Sequence, residues 1–220
     1  MTRRVVKILG LMAGLLLAGC AAQKPRDFSA FEAARPRSIL LVPVVNRSLD
    51  VDAPNYVLST LPVPIAEKGY YVFPVNTTKM VLEQEGFYEG EKIHEQPPAK
   101  LAQLFGADAV LYVRINRWDA QFALVTTTVT VDFDYRLVGK DGVTLWQENQ
   151  RMQYQPDNNN HNAAGANPMA MLLSKVISAA LTRAAPNYMP LARQANQQVF
   201  LLGPAAIPDG PYRVQAARKP

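Results

Sequence analysis

The sequence predicts a single α/β domain, a mixed β-sheet flanked by helices, on three observations. Short apolar strands alternate with helix-period segments over residues 39–106. A long stretch of two-residue alternation follows at 123–154, folded back on itself at "GKDG". Beyond it, a stripe with helical spacing supplies a cover for the resulting sheet.

The chain begins outside that domain. Arg3, Arg4 and Lys7 precede an uncharged run, 8–18, and small residues lead from it to Cys20, the single cysteine. Those 11 residues would cover only about half of a ~30 Å hydrocarbon core as a helix, so the run does not span. Its layout is that of a secretory signal peptide, residues 1–19, with a cysteine where an ordinary cleavage site needs only small residues. Leu17-Ala18-Gly19-Cys20 resembles a bacterial lipobox, which implies cleavage before Cys20 and acylation of its sulfur and its new amino terminus. One saturated chain such as palmitate anchors marginally, whereas two or three anchor stably. Ala21, rather than an acidic residue, follows the cysteine and favours the outer membrane, with the domain facing the periplasm.

The formal net charge of +5 includes the three basic side chains of that leader, and from Cys20 onward 20 basic residues face 18 acidic ones. Such a balance implies no nucleic-acid partner. With its one cysteine acylated the domain has no disulfide to draw on, so packing must hold it. Residues 20–37 read as a lipidated tether, able to extend about 60 Å at about 3.5 Å per residue, although Phe28 and Phe31 are side chains a spacer would not need. The α/β domain is assigned to 38–202 and an irregular tail to 203–220.

Within the domain, "ILLVPVV" at 39–45 predicts a strand buried on both faces, bulged or at an edge where Pro43 lacks a donor. "NRSLDVDAP" reads as a loop ending in an Asp52 cap, and Val57, Leu58, Leu61 and Ile65 share a helical face that Pro62 and Pro64 must break. Gly69 stops that segment and "YYVFPV" follows as a short strand. Asn76 is placed to cap a helix over 77–85 with Met80, Val81 and Phe87 facing inward. Pro98 opens another helix, with a stripe of Leu101, Leu104 and Phe105 and a stop at Gly106.

The next strand sets Ala109, Leu111, Val113 and Ile115 on one face and Val110, Tyr112 and Arg114 on the other. From 123 to 137 the odd positions are almost all apolar, while even positions 126–136 read Thr, Thr, Thr, Asp, Asp, Arg; one face is buried and one wet. "GKDG" turns the chain into a second strand through Trp146. An Asn-rich loop at 156–167 precedes a helix opened by Asn167 and Pro168, whose stripe runs from Met169 through Leu173, Val176 and Leu181 to Ala184. A short segment through Phe200 ends the domain.

No catalytic, cofactor-binding or metal-binding residue is assigned. His94 and His161 lie far apart in predicted loops, and the acidic residues Glu83, Glu85, Glu89, Glu91 and Glu95 read as a solvated loop rather than a metal site. Cys20 is committed to lipid, no serine sits in a G-x-S-x-G setting, and neither phosphate-loop pattern occurs. Asp132 and Asp134 share a face, but alternation puts that face in water.

"RPRSILLVPVVNRSLDVDAPNYVLSTLPVPIAEKGYYVFPV", followed by "LAQLFGADAVLYVRINRWD", resembles a family of bacterial lipoproteins classed as a domain of unknown function, over about residues 35–200. The resemblance implies a fold like the N-terminal domain of TolB, shared with curli-secretion lipoproteins and lipoprotein activators of peptidoglycan synthases. It implies envelope assembly or transport by protein contact, with a curli-secretion-like lipoprotein among the candidate partners, and assigns no catalytic residue. Together with the anchor, this predicts a non-enzymatic outer-membrane lipoprotein acting as a periplasmic interaction module in assembly, transport or secretion. The alternatives are an activator of a peptidoglycan synthase and a carrier of a small apolar ligand. Contact surfaces are expected on the loops at 46–55, 86–96 and 156–167, and a homodimer through an exposed strand edge.

Overall fold

The computed structural model describes residues 26–122, 127–154 and 188–213; Cys20, the Asn-rich loop and the helix expected at 169–184 lie outside them. A six-stranded mixed sheet organises the chain, in the order β3-β1-β4-β5-β6, with β2 also paired to β4. Its strands are β1 (Ser38–Leu41), β2 (Val45–Asn46), β3 (Tyr71–Val72), β4 (Ala109–Phe122), β5 (Thr127–Gly139) and β6 (Thr144–Tyr154). The first three run parallel to their neighbours, and β4, β5 and β6 form an antiparallel meander.

Pro43 divides the apolar run as its missing donor requires. β1 lies between β3 and β4, whereas β2 resumes along β4 with no second partner among the described residues. The predicted helix break is also present: α2 (Ala53–Thr60) and α3 (Pro62–Glu67) meet at Leu61, and Val57, Leu58, Leu61 and Ile65 are all buried. Asp52 holds the N-cap position without a side-chain cap bond. Its backbone N–H is instead taken by Asp50 Oδ1 at 2.9 Å, so a turn rather than a cap starts the helix.

Three helices cover the other face: α4 (Val75–Gln84), α5 (Gly90–His94) and α6 (Pro98–Phe105). Pro74 ends the extended β3 segment and α4 starts at Val75, which places Asn76 inside the helix rather than at its cap. The inward positions are then Thr78 and Leu82, one turn apart, and Met80 points to solvent, contrary to the expected face; Phe87 does pack on the core. α6 keeps its predicted ends, with Gly106 at φ +69° as the left-handed stop, but buries Leu101 and Ala102 while Leu104 stays exposed. Part of the acidic stretch is helical, since α5 inserts Ile93 into the core and leaves Glu91 in water.

Two departures enlarge the domain. The segment read as a tether folds from Arg26 onward: α1 (Ser29–Ala34) buries Phe31 against Tyr70, and Phe28 packs beside it. Arg26 donates to the Gln147 carbonyl and pairs with Glu148 on β6. After Tyr188, the segment read as short is α7 (Met189–Gln197) running into a π-helical turn (Gln198–Leu202), with Leu191, Ala192, Ala195, Asn196, Val199 and Phe200 on the sheet. The tail then straps the domain through residue 213. Ile207 is buried, Tyr70 donates to the Pro208 carbonyl, and a Cβ on Gly210 would overlap the Gly69 carbonyl as one on Gly69 would overlap Arg213.

Ala109, Leu111, Val113, Ile115 and Trp118 of β4 and the odd-numbered β5 residues from Val129 to Leu137 therefore face one core with α1, α2, α3, α7 and the tail. Leu40, Val42, Val110, Tyr112 and Val138 face a second, smaller core under α4, α5 and α6. Those three helices cover only the parallel end of this second face. Among the described residues, the meander beyond Tyr112 carries no helix there, and no helix is long and apolar enough to cross a membrane.

Candidate functional site

The short helix α5 separates two grooves. Gly90 brings it within close contact of the backbone at Pro43 and Val44, which seats it beside the break between β1 and β2. On one side lies a groove of about 330 Å³ lined by Val51, Pro54, Lys79, Phe87, Tyr88 and Glu91. It joins two of the predicted contact segments, 46–55 and 86–96, which are distant in sequence. Leu49 and Val51 stand almost fully in solvent and Tyr88 largely so, yet the loop beneath them is braced. Asn46 Oδ1 accepts from the Ser48 N–H and hydroxyl, Asn46 Nδ2 donates to the Asp50 carbonyl at 2.8 Å, and the Trp118 indole donates to Asp50 Oδ2 at 3.0 Å. Apolar side chains on a stiff loop can dock a partner with little ordering cost. The third predicted segment, 156–167, lies outside the described residues.

On the other side of α5, the meander forms a polar groove of about 410 Å³. Strand alternation and register put Tyr112 and Arg114 of β4 beside Arg136 and Asp134 of β5, with Gln147 and Asn149 of β6 next in line. His94, at the end of α5, closes one side. Its Nε2 lies 3.0 Å from the Pro43 carbonyl, which can only accept, so Nε2 carries the proton. Burial is the main cause that lowers the His94 pKa to about 4, with Arg114 and Arg136 acting the same way and the Pro43 bond opposing. The ring meets Tyr112 edge-on at 5.0 Å, and the Arg136 guanidinium lies 5.0 Å from the centre of the same Tyr112 ring. Burial pushes the Tyr112 phenol up to about 12 against the opposing effect of Arg136, so it stays a hydroxyl.

Asp132 and Asp134, read as a solvated pair, are half-buried and held by amides. Asn116 Nδ2 donates to both, at 3.2 and 2.8 Å, and Asn149 Nδ2 does the same at 2.9 and 2.8 Å. Donors thus fill the positions a cation would use, and no cluster of three metal-binding side chains occurs among the described residues. Asn116 reaches the pair because it is the extra residue of a β-bulge, where the β4 register shifts between Ile115 and Arg117. The signal was present in the sequence: inward residues run 109, 111, 113, 115 and then 118, and one odd step returns Trp118 to the core.

Two buried donors in this groove have no partner among the described residues, Tyr112 Oη and Arg114 Nε. Stiff strands present them beside guanidinium, carboxylate and amide groups, an arrangement suited to holding a polar ligand.

Comparison with known proteins supplies a family. The family described as "Putative lipoprotein GNA1162-like" matches residues 26–212. A protein of Neisseria meningitidis serogroup B named "Putative lipoprotein NMB1124/NMB1162" is 37% identical over 162 residues, covering 72% of this chain and 75% of the relative. The crystal structure of lipoprotein GNA1162 from Neisseria meningitidis superposes with a TM-score of 0.55 at 33% identity, over 66% of this chain and 97% of that one. A PelC dodecamer from Paraburkholderia phytofirmans superposes with a TM-score of 0.46 at 13% identity, over 79% and 90%.

Proposed function

The chain belongs to the GNA1162-like lipoprotein family, and from that premise we propose that it is a non-enzymatic lipoprotein, anchored by acylated Cys20 in the outer membrane. Its domain faces the periplasm and binds another envelope protein during assembly, transport or secretion. The observation that carries this proposal is the first groove. Two loops chosen from sequence as contact surfaces form its walls, and Leu49, Val51 and Tyr88 stand exposed on them.

The partner class follows from the reach of the anchor. Arg26 is bound to β6, so no more than residues 21–25 separate Cys20 from a residue fixed to the domain. Extended, that interval reaches about 20 Å, a third of what a tether through residue 37 would give. Such a reach suits a partner at the membrane surface better than a peptidoglycan synthase across the periplasm. A second copy of the chain is one such partner, because β6 is an edge strand of the sheet.

The test places a photo-crosslinking residue at Leu49 or Tyr88 of the full chain in cells, with Cys20→Ser as the mislocalised control. The expected result is one envelope protein, or a second copy of the chain, captured at both positions by the anchored form alone. Capture of a peptidoglycan synthase would instead support activation of that enzyme. Capture of nothing, or of the same proteins by the control, would refute the proposal.

A further inference from the structure

We infer that the polar groove between α5 and the β4–β6 meander is a binding site for a carboxylate-bearing ligand, held by Tyr112, Arg114 and Arg136. This site is distinct from the protein-contact groove and does not depend on it. The two guanidiniums give the sign of the ligand. Asp134 accepts from two amide groups, and Glu148 is paired with Arg26. Neither acid is thus bonded to Arg114 or Arg136, and among the described residues neither arginine takes part in an ion pair.

The second, independent observation is the pair of orphaned donors. Tyr112 is only 3% exposed, and its hydroxyl, like Arg114 Nε, has no hydrogen-bond partner. Buried polar groups are rarely left so, because each forfeits its bonds to water without replacement. A site built to hold an acceptor explains both, since the ligand supplies what folding withheld. Tyr112 and Arg114 line the groove with these two atoms shielded from solvent, and the exposed Arg136 lies over the Tyr112 ring. A ligand reaches them by drawing Arg136 outward onto itself.

Shape and charge select the class. A carboxylate is planar, singly charged and able to accept from a guanidinium edge and a hydroxyl together. A phosphate dianion brings more negative charge against Asp134 and Glu148 in the same wall. The carboxylate belongs either to a small acid or to an acidic side chain of a peptide.

Calorimetric titration of the full chain in detergent tests the site with N-acetylglutamate, N-acetylglutamine, inorganic phosphate and the blocked peptide acetyl-Gly-Glu-Gly-amide. Saturable binding of the acid is expected, with the amide analogue about tenfold weaker or worse, and phosphate weaker than the acid. Arg114→Gln and Tyr112→Phe are each expected to weaken the acid by about tenfold. Because Tyr112→Phe removes a hydroxyl that has no partner, it should melt no lower than the parent, which separates lost binding from lost folding. Peptide tighter than N-acetylglutamate would assign a peptide source, and equal affinity a small acid; both support the site. Equal binding of the amide, tighter phosphate, full affinity in both variants or no saturable heat would each overturn it.

Discussion

Replacing Asn196 by leucine tests what holds α7 on the sheet. Tyr135, on the core face of β5, donates to Asn196 Oδ1 at 2.6 Å; Asn196 Nδ2 donates to Thr60 Oγ1 at 2.7 Å; and Thr60 donates to the Val57 carbonyl at 2.7 Å. All three side chains are buried, so β5, α7 and α2 are joined by one chain of bonds inside the core. Burial holds the Tyr135 phenol well above its ordinary range, and it enters the chain as a neutral donor. Asn196→Leu keeps the volume roughly constant and removes both bonds. Thr60 retains its acceptor, whereas the Tyr135 hydroxyl is left in the core with none, a loss of about 1–3 kcal/mol. Tyr135→Phe alone strands Asn196 Oδ1 at a similar cost. In the double variant no stranded group remains on that bond, so the two losses should fall short of additivity by about 1–3 kcal/mol. Guanidinium unfolding followed by tryptophan fluorescence measures this directly, because Trp146 lies 6.2 Å from Tyr135 and 5.5 Å from Phe200, between ring centroids. Additive losses, or an Asn196→Leu variant as stable as the parent, would refute the assignment of α7's docking to this chain of bonds.

Three further outcomes follow from the same geometry. His94 is neutral in the folded state with a pKa near 4 against 6.5 for the free side chain, so its contribution is whole above pH 6.5 and is lost as pH falls toward 4. The loss is about 3 kcal/mol, and unfolding titrations at the two ends of that window should show it in the parent and not in His94→Gln; parallel pH profiles would refute it. Gly210→Ala would push a Cβ into Gly69 and break the approach in which Gly210 N–H donates to the Lys68 carbonyl at 2.8 Å. A stability loss of about 1–3 kcal/mol and faster proteolysis within 203–213 are expected, and unchanged proteolysis would count against the strap. Deleting Asn116 should remove the bulge and leave Trp118 on the core face, because Ile115, Arg117 and Trp118 already pair with Phe133, Asp132 and Val131; losing the Asn116 bonds to Asp132 and Asp134 should cost about 1–3 kcal/mol with a native tryptophan spectrum, and a shifted spectrum or loss of cooperative unfolding would refute this register.

Much of the fold was legible because it is written in short-range periodicity. Alternation identified both faces of β4 and β5, and Pro43, Pro62, Gly69 and Gly106 marked real ends or breaks. These signals are local: a proline withdraws a donor wherever the residue sits, and side chains alternate wherever the backbone is extended. Helix facing was less legible. The sequence nominated Met80 and Leu104 for the core, and the folded chain chose Thr78 and Ala102. Helix α7 was passed over because Pro190, Arg193, Gln194 and Asn196 dilute its apolar stripe, although Leu191, Ala192, Ala195, Val199 and Phe200 follow helical spacing.

The candidate sites divide in the same way. By itself the sequence determined the class of the domain and the loops that one groove later joined, and it carries the expectation of a leader ending before Cys20. Only the tertiary structure decided that Arg26 and α1 belong to the domain, that an asparagine would be buried at the centre of the core, and that α4, α5 and α6 would cover only one end of a sheet face. Tyr112 and Arg114 were assigned the right face, but nothing local showed that their donors would lack partners or that Arg136 would lie beside them. Periodicity is a property of a segment's own backbone and survives in the sequence. Cover, pairing and satisfaction are settled by segments tens of residues away, which compete for the same buried surface, and they exist only once the chain is folded.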